Sequence, residues 1–89
     1  MDSKIKTYVF HTDAGHGWVA VKRQELINLG ILDKITPYSY QKGKTVYLEE
    51  DCDATTFIQA LQSRNIQFKF RNSNCDNYSP VRYYQSFSI

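Results

Sequence analysis

Two histidines and an aspartate crowd one short stretch, His11-Thr12-Asp13-Ala14-Gly15-His16, and they are the chain's first candidates for chemistry. Imidazole nitrogens and a carboxylate are the donor types that hold zinc or another divalent ion. An Asp beside a His is also the pairing that orients a general base. The spacing permits either use without specifying one. It lacks the helix that makes an H-E-x-x-H pair converge on a metal, and the chain contains 2 His, so no third imidazole can complete the set. A plainer reading gives each residue local work. Asp13 bonds backbone amides in a turn, His11 finishes a strand, and His16 sits near the surface beside Trp18.

A second candidate is the acidic run Glu49, Glu50, Asp51 and Asp53. Its oxygens suit a hard cation, and Glu49 or Glu50 could assist the histidine loop in a small metal-dependent or acid–base enzyme built on His11, Asp13 and His16. The D-x-D-x-D-G order of an EF-hand is absent. The plainer reading places the run at a helix start, with Asp53 as N-cap and the other carboxylates favoured by the positive helix terminus.

The third group mixes rings and cations: Tyr38, Tyr40, Lys42, Lys44 and Tyr47 in one stretch, with Arg82, Tyr83 and Tyr84 near the C-terminus. Aromatic side chains between cations anchor protein partners or stack single-stranded bases. Gly15-His16-Gly17 leads into a strand without a G-x-x-x-x-G-K sequence, and there is no serine elbow.

Elements must position these groups. Lys4 to His11 alternates as a strand, Thr12 to Gly17 is turn chemistry, and Trp18 to Val21 resumes an extended pattern that pairs back as a hairpin. Leu26, Ile27 and Leu29 mark a helix from about Arg23 to Leu29, stopped by Gly30. Thr36-Pro37 breaks the chain. Tyr38-Ser39-Tyr40 and Thr45 to Leu48 then flank Gln41-Lys42-Gly43-Lys44 as a tight hairpin. Phe57, Ile58 and Leu61 stripe a second helix that ends at Asn65. Ile66, Phe68 and Phe70 alternate with Gln67, Lys69 and Arg71 as a half-buried strand. Asn72 to Pro80 reads as a polar loop, and Val81 to Phe87 as a final strand.

The expected architecture is one α+β domain over residues 1–89: a small antiparallel or mixed sheet of about six strands, with two helices on one face. The other face stays partly open. In a chain this short, 7 Tyr, 5 Phe and 1 Trp must supply much of the core, and the surplus rings should lie on the open face.

The balance of 11 Lys+Arg against 9 Asp+Glu gives +2, too little to imply nucleic acid on charge alone. No apolar stretch reaches the roughly 20 residues that cross a bilayer, and Met1-Asp2-Ser3-Lys4 shows no signal-peptide core, so we expect a cytoplasmic protein without membrane contact. Cys52 and Cys75 lack neighbouring thiols, which excludes a C-x-x-C pair. Reduced thiols are expected in that compartment, with a single Cys52–Cys75 disulfide as the alternative.

The stretches Asp13-Ala14-Gly15-His16-Gly17-Trp18 and Tyr38 to Asp53 resemble a group of short bacterial and bacteriophage or plasmid proteins, over most of the chain from about His11 onward. The resemblance implies a bacterial or mobile-element setting and brings no catalytic residue with it. Small proteins of such elements often block host machines, which makes an anti-defence, anti-CRISPR-like role the implied expectation. The residues lead to a binding protein that needs no cofactor, with a protein partner expected first and single-stranded nucleic acid as the alternative. Free sheet edges leave a homodimer open.

Overall fold

The computed structural model describes residues 5–89. Strands β1 (Lys6–Thr12) and β2 (Gly17–Lys22) pair antiparallel, with Val9 opposite Ala20 and His11 opposite Trp18. Helix α1 (Arg23–Asn28) follows. It stops where Gly30 takes φ 73°, and the Ile31 N–H then bonds back to the Leu26 carbonyl. A 3-10 turn at Leu32–Lys34 leads to β3 (Tyr40–Lys42) and β4 (Thr45–Glu49), a hairpin turned by Gly43 at φ 61°. Helix α2 (Asp53–Ser63) ends as Asn65 adopts φ 57°, a left-handed conformation that Asn tolerates better than most residues. The last strands are β5 (Phe68–Asn74) and the short β6 (Gln85–Ser86).

The sheet is mixed, in the order β5-β1-β2-β4-β3-β6. β1 and β5 run parallel and the other neighbours antiparallel. Residues opposite one another across a ladder share a face, so register sorts the side chains. Tyr8, Val19, Val21, Val46 and Leu48 lie on the side that also buries Leu26 of α1 with Phe57 and Leu61 of α2, in one core cluster. The Tyr8 ring meets Phe57 edge-on at 5.1 Å. Its hydroxyl donates to Glu25 at 2.7 Å, and burial, aided by that carboxylate, holds its pKa above the ordinary tyrosine value.

Several boundaries differ from expectation for identifiable reasons. The first strand is displaced to Lys6–Thr12, and residues 1–4 lie outside the described residues. β5 continues through Asn72, Ser73 and Asn74, which we expected to be loop. Its backbone pairs with β1 as an edge strand while its polar side chains stay in water, and Thr12 Oγ1 bonds Asn74 Oδ1 at 2.9 Å. The expected strand Val81–Phe87 is largely replaced by a 3-10 turn at Pro80–Tyr83, leaving Gln85–Ser86 extended. Ser79 caps that turn by accepting from the Val81 N–H at 3.2 Å, and Pro80 supplies a preset φ.

Asp53 is not an N-cap. Cys52 holds that position without a side-chain cap bond, and Asp53 is the first helical residue, wholly buried. In the buried stripe of α2, Ala54 joins Phe57 and Leu61, while Ile58 is half-buried. No helix among the described residues is long and apolar enough to cross a membrane.

Candidate functional site: the open sheet face and its flanking pocket

Among the described residues the 3-10 turn Pro80–Tyr83 covers the second face of the sheet only at the Trp18 end, through Arg82, and no α-helix covers that face. Val9, His11, Ala20, Tyr40, Tyr47 and Tyr84 are all half-buried there. The register explains the grouping: Tyr40 stands opposite Tyr47, and Tyr47 opposite Ala20 on the other side. The His11 and Tyr47 rings lie 5.7 Å apart and the Tyr47 and Tyr84 rings 5.1 Å apart, which makes a continuous band across the sheet. Lys42 Nζ sits 4.8 Å from the Tyr84 ring centroid, within cation–π range. Burial, then the nearby Arg71 charge, lowers the His11 pKa and favours a neutral ring. Burial, and next the Tyr84 hydroxyl, raises that of Tyr47.

The band's flank is fixed by one carboxylate. Asp13 Oδ1 accepts from the Gly15 and His16 N–H groups at 3.0 and 2.9 Å and from Arg82 Nη2 at 2.9 Å. Its Oδ2 accepts from the Ser79 N–H at 2.9 Å and from Arg82 Nε. The side chain is fully enclosed. These donors, with Arg82 the largest influence, hold Asp13 far below the usual carboxylate pKa although burial opposes them. The same guanidinium lies 5.7 Å from the Trp18 ring and 4.8 Å from that of Tyr78, so Trp18 is covered and only 2% exposed.

Beside this clamp lies a pocket of about 450 Å³ between Trp18, Tyr40 and the exposed Tyr38, with Glu49, Asp51 and Cys52 on its far wall. Burial pushes the Glu49 carboxyl above its ordinary value, helped by the charges of Asp51 and Glu50. Burial, and then the Asp53 carboxylate, raises the Cys52 thiol. That thiol is accordingly a poor nucleophile at neutral pH. Cys52 and Cys75 are both free.

Asp53 itself ties the loop before β3 to α2. Its Oδ2 accepts from Thr36 N–H at 3.0 Å, Thr36 Oγ1 at 2.7 Å and Ser39 Oγ, while its buried Oδ1 has no partner among the described residues. Ser39 Oγ in turn accepts from the Glu49 N–H at 3.0 Å.

The residues singled out from sequence thus divide into separate groups. His11, Asp13 and His16 do not converge: His11 faces Tyr47, His16 packs 6.1 Å from Trp18, and Asp13 spends both oxygens on the clamp. Among the described residues no group of three His, Cys, Asp or Glu side chains could hold a metal ion. Tyr40, Lys42, Tyr47 and Tyr84 do share the open face. Lys44 stands in the hairpin turn, Tyr38 is 74% exposed on the pocket rim, and Arg82 is engaged inside the protein. Tyr83 is 79% exposed.

Sequence reasoning missed His11 as a member of the band and Arg71 as its neighbour. The alternation of β1 carries the signal, since His11 has the parity of Val9 rather than of Tyr8. No family model, curated protein or solved structure matches the chain.

Proposed function

We propose that this is a non-enzymatic binding protein that engages a macromolecular partner through the open face of its sheet. The supporting observation is the His11–Tyr47–Tyr84 band with Lys42 against it, on a face that no α-helix of the described residues covers. Rings with polar tips give contact area at low conformational cost, which suits a surface that must stay hydrated when free and become dry when bound. The acid–base reading finds no support in the geometry, because Asp13 has no acceptor capacity left for orienting a histidine. The resemblance to short bacterial, bacteriophage and plasmid proteins supports a mobile-element setting. By analogy with other small proteins of that kind, we attach to it the role of obstructing a host-defence complex of the CRISPR type.

The test is capture from a bacterial lysate on immobilised protein, comparing the wild type with Lys42→Ala, Tyr47→Ala and Tyr84→Ala. Retained material should fall sharply in each variant. Capture unchanged in all three would refute the reading.

A further inference from the structure

We propose that the open face binds single-stranded nucleic acid, with bases stacked on the His11–Tyr47–Tyr84 band and phosphates held by Lys42 and Arg71 at its margins. This deepens the reading above and rests on it.

The first argument is the distribution of charge. Register places Lys22, Lys42, Lys69 and Arg71 on the same side as the band, and Glu49 is the acidic residue paired on that side. Asp51 lines the pocket at the band's flank with Glu49, Trp18 and Tyr40, and the other acids of the described residues are elsewhere. Glu25 meets Lys6 and Tyr8 on the helix side, Asp53 is buried, and Asp13 is enclosed by Arg82. Asp33 lies in a 3-10 turn, Glu50 lies between β4 and α2, and Asp76 lies beyond β5. Four of the ten described Lys and Arg side chains, against Glu49 paired on the same side, therefore share the face that carries the band of tilted rings. A polyanion is the complementary occupant.

The second argument is the kind of ring. Tyr and His offer flat surfaces that accept any base, and the low His11 pKa keeps that imidazole neutral near pH 7. The band has cations beside it that can meet phosphates: Arg71 on β5 near His11, and Lys42 on β3 over Tyr84. Five strands from β5 to β3 span roughly 19 Å between their axes. That is room for on the order of four nucleotides, the lower end of site sizes for compact single-strand binders. Duplex is disfavoured because its bases are already stacked on one another.

The experiment is fluorescence anisotropy with labelled oligo-dT and oligo-rU of about 15 nucleotides, and an unlabelled duplex as competitor. Saturable binding is expected, weakening steeply with salt and resisting the duplex. The two oligonucleotides report whether DNA or RNA is preferred. Tyr47→Ala and Tyr84→Ala should each weaken binding by roughly tenfold. Lys42→Glu and Arg71→Glu alter exposed side chains, which keeps the test valid if the ring variants misfold. They should weaken binding severalfold and flatten the salt dependence, while Lys34→Glu, outside the sheet, should not.

No anisotropy change at roughly 100 µM protein in low salt, or binding that ignores both charge reversals, would overturn the inference. If oligonucleotides fail while Lys42→Glu still abolishes capture of a protein from nuclease-treated lysate, nucleic acid is wrong and the sheet-face reading survives. If both fail, both readings fall.

Discussion

Asp13 and Arg82 stand 69 positions apart and meet as a two-pronged ion pair, Nε and Nη2 of the guanidinium facing the two oxygens of one enclosed carboxylate. Through this contact the turn between β1 and β2 holds the C-terminal segment, and Ser79 adds a backbone bond to the same carboxylate at 2.9 Å. The pair therefore supports the open face from the side, because Tyr84 and β6 follow directly after Arg82.

Breaking the pair should cost much more than a surface ion pair would. Arg82→Ala and Asp13→Ala are each expected to lower Tm by roughly 10 °C or more. Arg82→Lys should recover only part, since an ammonium cannot present two parallel donors. The measurement is thermal unfolding followed by circular dichroism. Wild-type Tm in all three variants would show that the contact contributes nothing.

The Asp13 pKa also sets an acid limit. A carboxylate depressed in the folded state contributes stability that is present above its unfolded value, near 3.8, and is lost as pH falls through the folded value. Asp13→Asn should therefore have a shallower fall in stability below about pH 4 than the wild type. Parallel acid-unfolding profiles would contradict this.

His11 works with the opposite sense of shift. Its folded pKa lies below 6.5, so the unfolded chain binds the extra proton in the window just below 6.5 and stability declines as pH drops through it. Histidine NMR titration should give His11 a midpoint under 6.5. Arg71→Ala should move that midpoint upward, though not fully, because burial is the larger cause. An unchanged midpoint in the variant would separate Arg71 from the band.

Asp53 offers a test of the polar tie behind the pocket. Asp53→Ala leaves the Thr36 and Ser39 donors without their acceptor and should cost about 3 kcal/mol in urea unfolding. Asp53→Asn keeps an acceptor oxygen and should cost less. Equal losses in the two variants would mean that charge rather than hydrogen bonding matters here.

Cys52 lies on the pocket wall with its thiol pKa raised above 9.0. Alkylation by iodoacetamide should be slower at pH 8 than that of a free thiol, and should accelerate as pH climbs past 9. Fast labelling at pH 7, located by mass spectrometry, would contradict the shift.

Local spacing revealed the elements where one contact type dominated. The Gly43 hairpin, the Gly30 and Asn65 stops and the alternation of Phe68 with Lys69 were legible because each is a property of a few adjacent residues. The C-terminal segment misled for a physical reason. Val81 to Phe87 alternates like a strand, yet a capped Ser79-Pro80 turn and the distant Asp13 carboxylate draw it into a 3-10 turn instead. Asp53 misled similarly: its place at the helix start suggested a cap, and only the Thr36 and Ser39 donors from another loop make it a buried acceptor.

By itself the sequence determined an α+β chain with six extended segments, two helices and more rings than its core requires, because periodicity and turn chemistry act over a handful of residues. Only the tertiary structure decided that β5 lies parallel to β1, that Asp13 serves Arg82 rather than the histidines, and that His11 joins Tyr47 and Tyr84 on one uncovered face. Those outcomes depend on which distant strands share hydrogen bonds. A one-residue change of register would send every side chain of a strand to the opposite face.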